Sequence, residues 1–201
     1  LGTDNWPCLI LALCGDAGHV PHLVGKLSSD NHPPGTLSLA LGILGDCRCL
    51  PPLLNALNRD SARKQAALAL SLITGAGLPE TEPAQDNREN QRLLSGEPEA
   101  WEQWLKANIH RFDPQLRYRK GKPCSAIQLA DDLNNACSSL SIRMLAHEEL
   151  VIRYGLDTRF ETDMPVRQQK EAIQLFRNRA RETLGRFKPG FWFLNGKPLP
   201  G

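Results

Sequence analysis

Cys124 is the side chain of this 201-residue sequence that is best placed for nucleophilic chemistry. Ser125 and Gln128 follow it with the spacing of a helix N-terminus, and Lys120 and Lys122 precede it. A helix N-terminus and nearby cations both lower the pKa of a thiol, and the thiolate is the nucleophile. A catalytic cysteine also needs an oriented base. Because no histidine lies near it in the sequence, the favoured interpretation is a half-buried cysteine in a turn.

Two further pairs have part of the pattern of a metal site. Cys47 and Cys49 are separated by one residue, whereas zinc sites usually combine two pairs of Cys or His ligands at longer spacing. His19 and His22 can lie on one helix face, but Pro21 stands between them and no carboxylate is spaced to complete a site. We therefore predict no metal and no cofactor.

The segment His147-Glu148-Glu149 begins like the H-E-x-x-H zinc motif, but Val151 occupies the position of the second histidine. We interpret the segment as the solvated face of a helix. Glu149 and Arg153 have the i, i+4 spacing of a helical ion pair, which contributes only about 0.3–0.5 kcal/mol when exposed.

Basic side chains are concentrated in two segments of the second half. Residues 111–123 hold five Arg or Lys side chains against Asp113 alone, and the long helix predicted to begin at Asp163 is also basic. Such residues around aromatic rings are typical of single-stranded nucleic-acid binding, but no recognised nucleic-acid module is present and the net charge is only +2. We therefore predict contact with the acidic surface of another protein and expect no nucleic-acid partner. The predicted contact residues are Arg117, Tyr118, Arg119, Lys120, Arg177, Arg181 and Trp192.

The first third of the sequence is built from a repeated segment, which predicts the helices of that part of the fold. Residues 11–27 and 41–57 align without gaps at an offset of 30 residues, and both read L-x-x-x-G-D-x-x-x-x-P-x-L-x-x-x-L. A third copy stops soon after Gly75. A fixed period of this size is typical of stacked helical hairpins, which mostly present surfaces to partners. The sequence therefore predicts an all-α fold that begins with a short α-solenoid.

Each full copy contains a Gly-Asp pair that predicts a helix end followed by a helix start. Gly15 and Gly45 can take the positive φ of a helix C-terminus. Asp16 and Asp46 can then accept hydrogen bonds from the first amides of the next helix. The pairs therefore predict the turn of each helical hairpin.

Charge divides the chain into three predicted parts. Residues 1–77, the repeats, carry five basic and five acidic side chains. Residues 78–97 carry two basic against five acidic side chains, are mostly polar and include Pro79 and Pro83, which predicts an acidic linker. Residues 98–201 carry 17 basic against 12 acidic side chains and form the predicted helical C-terminal region.

The last residues of the chain are predicted to be an extended tail. Residues 191–194 are an apolar run before Asn195-Gly196, a strong signal for a two-residue hairpin turn. Pro198 and Pro200 make a poor return strand, however, because proline cannot donate to a ladder. We therefore expect a tail that docks in extended form on the protein or on a partner.

Composition favours a cytoplasmic protein without a membrane partner. No apolar run is long enough to cross a bilayer. The six cysteines do not have the spacing of a small disulfide-rich scaffold, so reduced thiols are expected.

The Gly-Asp…Pro-x-Leu repeat resembles HEAT repeats of the phycobilisome-lyase-like class. SLITG (residues 71–75), Trp101, Trp104 and RFDPQLRYRKGKPCS (residues 111–125) together resemble an uncharacterised proteobacterial family of HEAT-repeat proteins. The residues that match the family's pattern after the repeats are Arg111, Phe112, Pro114, Arg117, Tyr118, Gly121, Pro123 and Ser125. The resemblance implies a short HEAT-like α-solenoid, followed by a helical C-terminal region with an extended tail. Members are often encoded near type VI secretion genes, and the resemblance implies no catalytic residue.

These observations favour a non-enzymatic protein–protein interaction module or adaptor, associated through the resemblance with bacterial type VI secretion. Two alternatives stay open. One is an immunity protein that neutralises a toxin. The other is a thiol-dependent enzyme or lyase-like factor that uses Cys124.

Overall fold

The computed structural model describes residues 6–29, 32–79, 94–134 and 139–199. Over these residues the chain is mainly helical, with two short β-hairpins, which confirms the predicted all-α class. The helices are α1 (Trp6–Cys14), α2 (Val20–Leu27), α3 (Pro34–Leu44), α4 (Leu50–Ala56), α5 (Asp60–Thr74), α6 (Pro98–Asn108), α7 (Ala126–Leu133), α8 (Leu140–Tyr154) and α9 (Val166–Glu182). The strands are β1 (Tyr118–Arg119), β2 (Lys122–Pro123), β3 (Phe193–Leu194) and β4 (Lys197–Pro198).

The 30-residue offset of the sequence reappears in the helices. A 3-10 turn over Ala17–His19 leads into α2, and an equivalent turn over Cys47–Cys49 leads into α4. The carboxylates of Asp16 and Asp46 each accept a hydrogen bond from the amide two residues later, at 2.9 and 2.8 Å. These contacts confirm the predicted caps. Helix α3 contacts both α1 and α5, so the first helices of successive copies are neighbours.

Glycine in the left-handed conformation ends α3 and α5. Gly45 has a φ of 78° and Gly75 a φ of 73°, which lie in a region that residues other than glycine rarely adopt. The prediction is therefore confirmed for Gly45. It is wrong for Gly15, which follows α1 without a positive φ. The carbonyl groups at that helix end are bound by a distant arginine, described below.

The second half is built around α7, which contacts both α8 and α9. Serine caps two of these helices, as the sequence predicts for Ser125. Its hydroxyl accepts a hydrogen bond from the amide of Gln128, and that of Ser139 accepts one from Ile142. Gly155, with φ of 65°, ends α8.

The tail is a hairpin, which corrects the expected extended form. Strands β3 and β4 pair antiparallel around Asn195 and Gly196, both with positive φ. The proline argument fails because alternate residues of an antiparallel ladder carry the cross-strand bonds. Pro198 needs no donor there, and the amide of Leu199 donates to the carbonyl of Trp192 at 2.9 Å.

One apolar core is shared by the repeats and by the region after residue 98. The second-half side chains that lie in the same buried cluster as the leucines of α1 to α5 are Trp101, Leu105, Phe112, Tyr118, Ile142, Leu145 and Trp192. A second cluster packs α7, α8, α9 and the tail together. Most of the predicted acidic linker, residues 80–93, lies outside the described residues. Its flanks meet where the amide of Ser95 donates to the carbonyl of Leu78 at 2.8 Å.

Candidate functional site

Four of the seven residues predicted to contact a partner are buried in the fold. The exposed fractions are 0% for Arg117, 4% for Tyr118, 1% for Arg119 and 2% for Trp192. This corrects their predicted role, because a side chain enclosed by its own chain has no surface to offer. Arg117 binds a carbonyl group at the end of a repeat helix, and Trp192 packs against its guanidinium group.

The other three residues predicted to contact a partner are Lys120, Arg177 and Arg181, and two of them are paired with aspartates of the fold. The ammonium of Lys120 pairs with the buried carboxylate of Asp132. Arg177 pairs with Asp131 at 2.7 Å, between α9 and α7. Arg181 is exposed on α9.

Two buried arginines bind the carboxyl ends of α1 and α3. The last carbonyl groups of a helix have no partner within it and carry partial negative charge. Arg153 donates to the carbonyl groups of Ala12 and Gly15 at 2.7 and 3.0 Å. Arg117 donates to that of Ile43 at 3.0 Å. These guanidinium groups therefore supply both the donors and the positive charge that the helix ends lack.

The backbone of residues 118–121 continues along the same edge. Three of its amides donate to the carbonyl groups of Gly45, Leu72 and Ile73, at 2.6, 2.6 and 2.9 Å. A Cβ on Gly45 would lie 2.5 Å from the carbonyl oxygen of Tyr118, so this close approach requires glycine. The segment thereby joins the second half to the ends of both α3 and α5.

Two buried carboxylates offset part of the charge of the three buried arginines. Glu149 contacts Arg117 directly, and its carboxylate oxygens lie 3.4 Å from guanidinium nitrogens of Arg119 and Arg153. Asp132 accepts a hydrogen bond from Nε of Arg119 at 2.7 Å. The Glu149–Arg153 pair is fully buried, which corrects its interpretation as an exposed pair. We call Arg117, Arg119, Arg153, Asp132 and Glu149 the helix-end cluster.

The helix-end cluster holds Glu149 ionised. Burial alone would raise the pKa of its carboxyl, but attraction to Arg117, Arg119 and Arg153 outweighs burial and lowers it. For Arg153, burial and the like charge of Arg117 lower the pKa to about 10, against the opposing pull of Glu149. A carboxylate held in this way serves as a fixed counter-charge and is not suited to giving up a proton at neutral pH.

Trp192 connects the tail to the helix-end cluster. The guanidinium carbons of Arg117 and Arg153 lie 5.3 and 5.5 Å from the centre of its ring. Cation–π contacts contribute about 0.5–1 kcal/mol at exposed sites and about 2 kcal/mol when shielded from water, as they are here. The amide of Arg117 also donates to the carbonyl of Gly190 at 2.9 Å, so the tail closes over the cluster.

Cys124 does not have the environment of a reactive thiol. It is 1% exposed, and burial raises its pKa more than the neighbouring Arg117 and Arg119 lower it. The expectation of a lowered pKa is therefore wrong. The sequence shows cations near the thiol, but it does not show that the fold buries the sulfur. Enclosure of the sulfur also argues against the thiol-dependent alternative.

The remaining cysteine and histidine patterns form no metal site in the described ranges. Cys47 and Cys49 are both buried, and burial is the largest cause that raises the pKa of each thiol. Across residues 6–29, 32–79, 94–134 and 139–199, no three His, Cys, Asp or Glu side chains are placed to hold a metal ion.

A surface cleft beside α8 is the other candidate site. It has a volume of about 690 Å³ and is lined by Met144, His147 and Glu148 of α8 and by residues 157–163 of the loop before α9. The ring of Phe160 is buried at 5% exposure and packs 5.8 Å from that of His147. We call this site the α8 cleft. None of its lining residues was singled out as a binding residue by the sequence.

The loop that forms one wall of the α8 cleft is fixed by side chains of α9. Arg179 donates to the carbonyl of Asp157 and to the hydroxyl of Thr158, the latter at 2.8 Å. The amide nitrogen of Gln169 donates to the carbonyl groups of Thr162 and Met164 at 3.0 and 2.8 Å. The wall therefore keeps its shape although it has no regular secondary structure.

Comparisons with other proteins give no family assignment. No protein-family model, curated protein or solved structure matches this chain, so the likeness to a HEAT-repeat family remains a prediction. None of the helices in the described ranges has both the length and the apolar character needed to span a bilayer.

One sequence signal could have identified part of the helix-end cluster. The buried side chains of α8 recur every three or four residues, and Glu149 and Arg153 belong to this stripe together with Ile142, Leu145 and Ala146. A charged pair in phase with the apolar positions of a helix predicts burial. Asp132 lies three residues after the buried Leu129, at the edge of the apolar stripe of α7, whereas no pattern marks the carbonyl groups that Arg153 binds.

Proposed function

We propose that this chain is a non-enzymatic protein-interaction module that binds its partner at the α8 cleft. In this proposal a HEAT-like stack over residues 1–77 is the support on which the second half is mounted. The observation that carries the proposal is the α8 cleft, which combines a fixed loop with the exposed apolar side chain of Met144. The groups best suited to chemistry, Cys124 and the buried arginines, are enclosed within the fold, and Arg117 and Arg153 bind backbone carbonyl groups there.

Exposed apolar side chains support the α8 cleft as a binding surface. Met144 lines the cleft and is 54% exposed, and Leu140, one helical turn earlier, is 60% exposed. Large exposed apolar side chains that group beside a concave site are typical of interaction surfaces. Methionine suits such a surface because its flexible side chain adapts to different partners.

The fixed loop supports the same conclusion through the entropy of binding. Ordering a mobile segment costs free energy that must be subtracted from the gain of the contacts. The loop over residues 157–163 is already held by Arg179 and Gln169. A partner would therefore meet a wall that needs little further ordering.

The family resemblance extends the proposal to a partner in bacterial type VI secretion. An adaptor and a toxin-neutralising immunity protein would both use such a cleft. Co-expression with the identified partner separates them, because only an immunity protein restores growth against a toxic partner.

Site-specific photocrosslinking tests the proposal. A benzophenone amino acid placed at Met144 should capture a partner protein in the native cell. The matched control places it at Ile109, which is 47% exposed and lies after α6, outside the cleft lining. We expect a crosslinked product specific to position 144 that forms again with the purified partner. Equal products at both positions, or none at position 144, would contradict the proposal.

A further inference from the structure

We infer that the α8 cleft takes a basic segment of its partner, one in which Lys or Arg stands beside an apolar side chain. This inference rests on the proposed function and adds the chemistry of the partner. It replaces the acidic surface expected from the sequence. Of the five basic residues predicted to make that contact, Arg117 and Arg119 are buried, and Lys120 and Arg177 are paired with aspartates of the fold.

The lining of the α8 cleft is strongly acidic. Glu148, Asp157, Glu161 and Asp163 contribute four carboxylates, against the single guanidinium of Arg159. Clefts lined by one sign of charge concentrate ligands of the opposite sign.

The chain neutralises only part of this charge. Nε of Arg159 pairs with Glu161 at 3.0 Å, which accounts for the only arginine of the lining. Glu148 has His147 at 3.5 Å, a partner that is charged only when protonated. Among the described residues, the carboxylates of Asp157 and Asp163 make no ion pair or hydrogen bond. The lining therefore includes two carboxylates that have no cationic partner among the described residues.

The apolar part of the cleft defines the second requirement. Met144 lines the cleft and is 54% exposed, so it offers apolar contact area that a cation alone would leave uncovered. A side chain such as Leu or Met next to a Lys or Arg would fill both parts. A nucleic acid is disfavoured at this site because its phosphates would meet uncompensated carboxylates.

Peptide selection tests this inference without the native partner. Random 12-residue peptides displayed on phage are selected against the full chain at low ionic strength. We expect selected sequences to be enriched in Lys or Arg next to an apolar residue. Synthetic versions are then measured against the wild type, the double variant Asp157→Asn/Asp163→Asn, and the control double variant Glu99→Gln/Glu102→Gln on α6, which removes the same charge outside the cleft.

We expect the cleft variant to weaken peptide binding about 5- to 30-fold and the control variant to change it less than about twofold. Raising the salt concentration should narrow this difference. Selected peptides that lack basic residues, or that bind both double variants equally, would overturn the inference. So would full competition by spermidine, which would assign the site to small cations. These failures differ from failure of the proposed function, because crosslinking at Met144 would still succeed while the captured segment lacked basic residues.

Discussion

Replacing Glu149 by glutamine keeps the shape of the side chain and removes the charge that three buried arginines contact. Removing one partner of a buried ion pair typically costs about 3–5 kcal/mol of the free energy of unfolding. Because three guanidinium groups lose the same counter-charge, we expect about 4–5 kcal/mol for Glu149→Gln. For a chain of this length, that corresponds to a fall in Tm of about 8–20 °C.

The matched control is Glu171→Gln on the surface of α9. Glu171 pairs with Arg167 at 3.0 Å, but the two side chains are 63% and 91% exposed. The same substitution should therefore cost no more than about 0.5 kcal/mol. Urea unfolding of both variants, followed by circular dichroism and by tryptophan fluorescence, gives the two free energies. A cost for Glu149→Gln within about 1 kcal/mol of the control would refute the role assigned to the helix-end cluster.

Three further outcomes follow from the same contacts. The pKa of Glu149 lies below its ordinary value of 4.5, so its contribution to the free energy of unfolding is complete above that pH and is lost as the pH falls through the lowered pKa. Urea titrations of wild type and Glu149→Gln should therefore converge in acid, and a difference that grows as the pH falls would contradict this. A thiol reagent should modify Cys124 at least about 100-fold faster in the unfolded than in the folded chain, and equal rates by mass spectrometry would contradict its burial. Gly45→Ala should lower the free energy of unfolding by about 2 kcal/mol or more, because Gly45 has a positive φ. Gly25→Ala should instead raise it by about 0.5–1 kcal/mol, because alanine favours the helix and its Cβ meets nothing within 4 Å. A thermal unfolding experiment in which Gly25→Ala is the less stable of the two variants would contradict this.

The local signals of the sequence predicted much of the fold. The repeat offset of 30 residues placed the Asp16 and Asp46 caps, and the capping pattern at Ser125 placed the start of α7. These features depend on residues a few positions apart, so a single sequence contains the information. The tail was harder, because the Asn195-Gly196 turn signal and the following proline pointed in opposite directions.

The candidate sites depend on contacts between distant parts of the chain. Arg153 binds a carbonyl group that lies 141 residues earlier, and Arg117 binds one 74 residues earlier. No local pattern encodes such pairs, and the usual location of an arginine is the surface. Because arginine side chains are usually exposed, the basic stretch around Arg117 was predicted to be a surface that contacts a partner. The α8 cleft was missed because its walls join only when the loop before α9 folds back on α8.

Hydrogen exchange of the amides of Tyr118, Lys120 and Gly121 tests most directly the central claim that the second half closes the helix ends of the repeats. These amides donate to carbonyl groups at the ends of α3 and α5. If the two halves form one cooperative unit, they should open with the same free energy as the amide of Gly75 at the end of α5, to within about 1 kcal/mol. Exchange of all three at a free energy several kcal/mol lower, while the amide of Gly75 stays protected, would show that the halves separate and would contradict the claim.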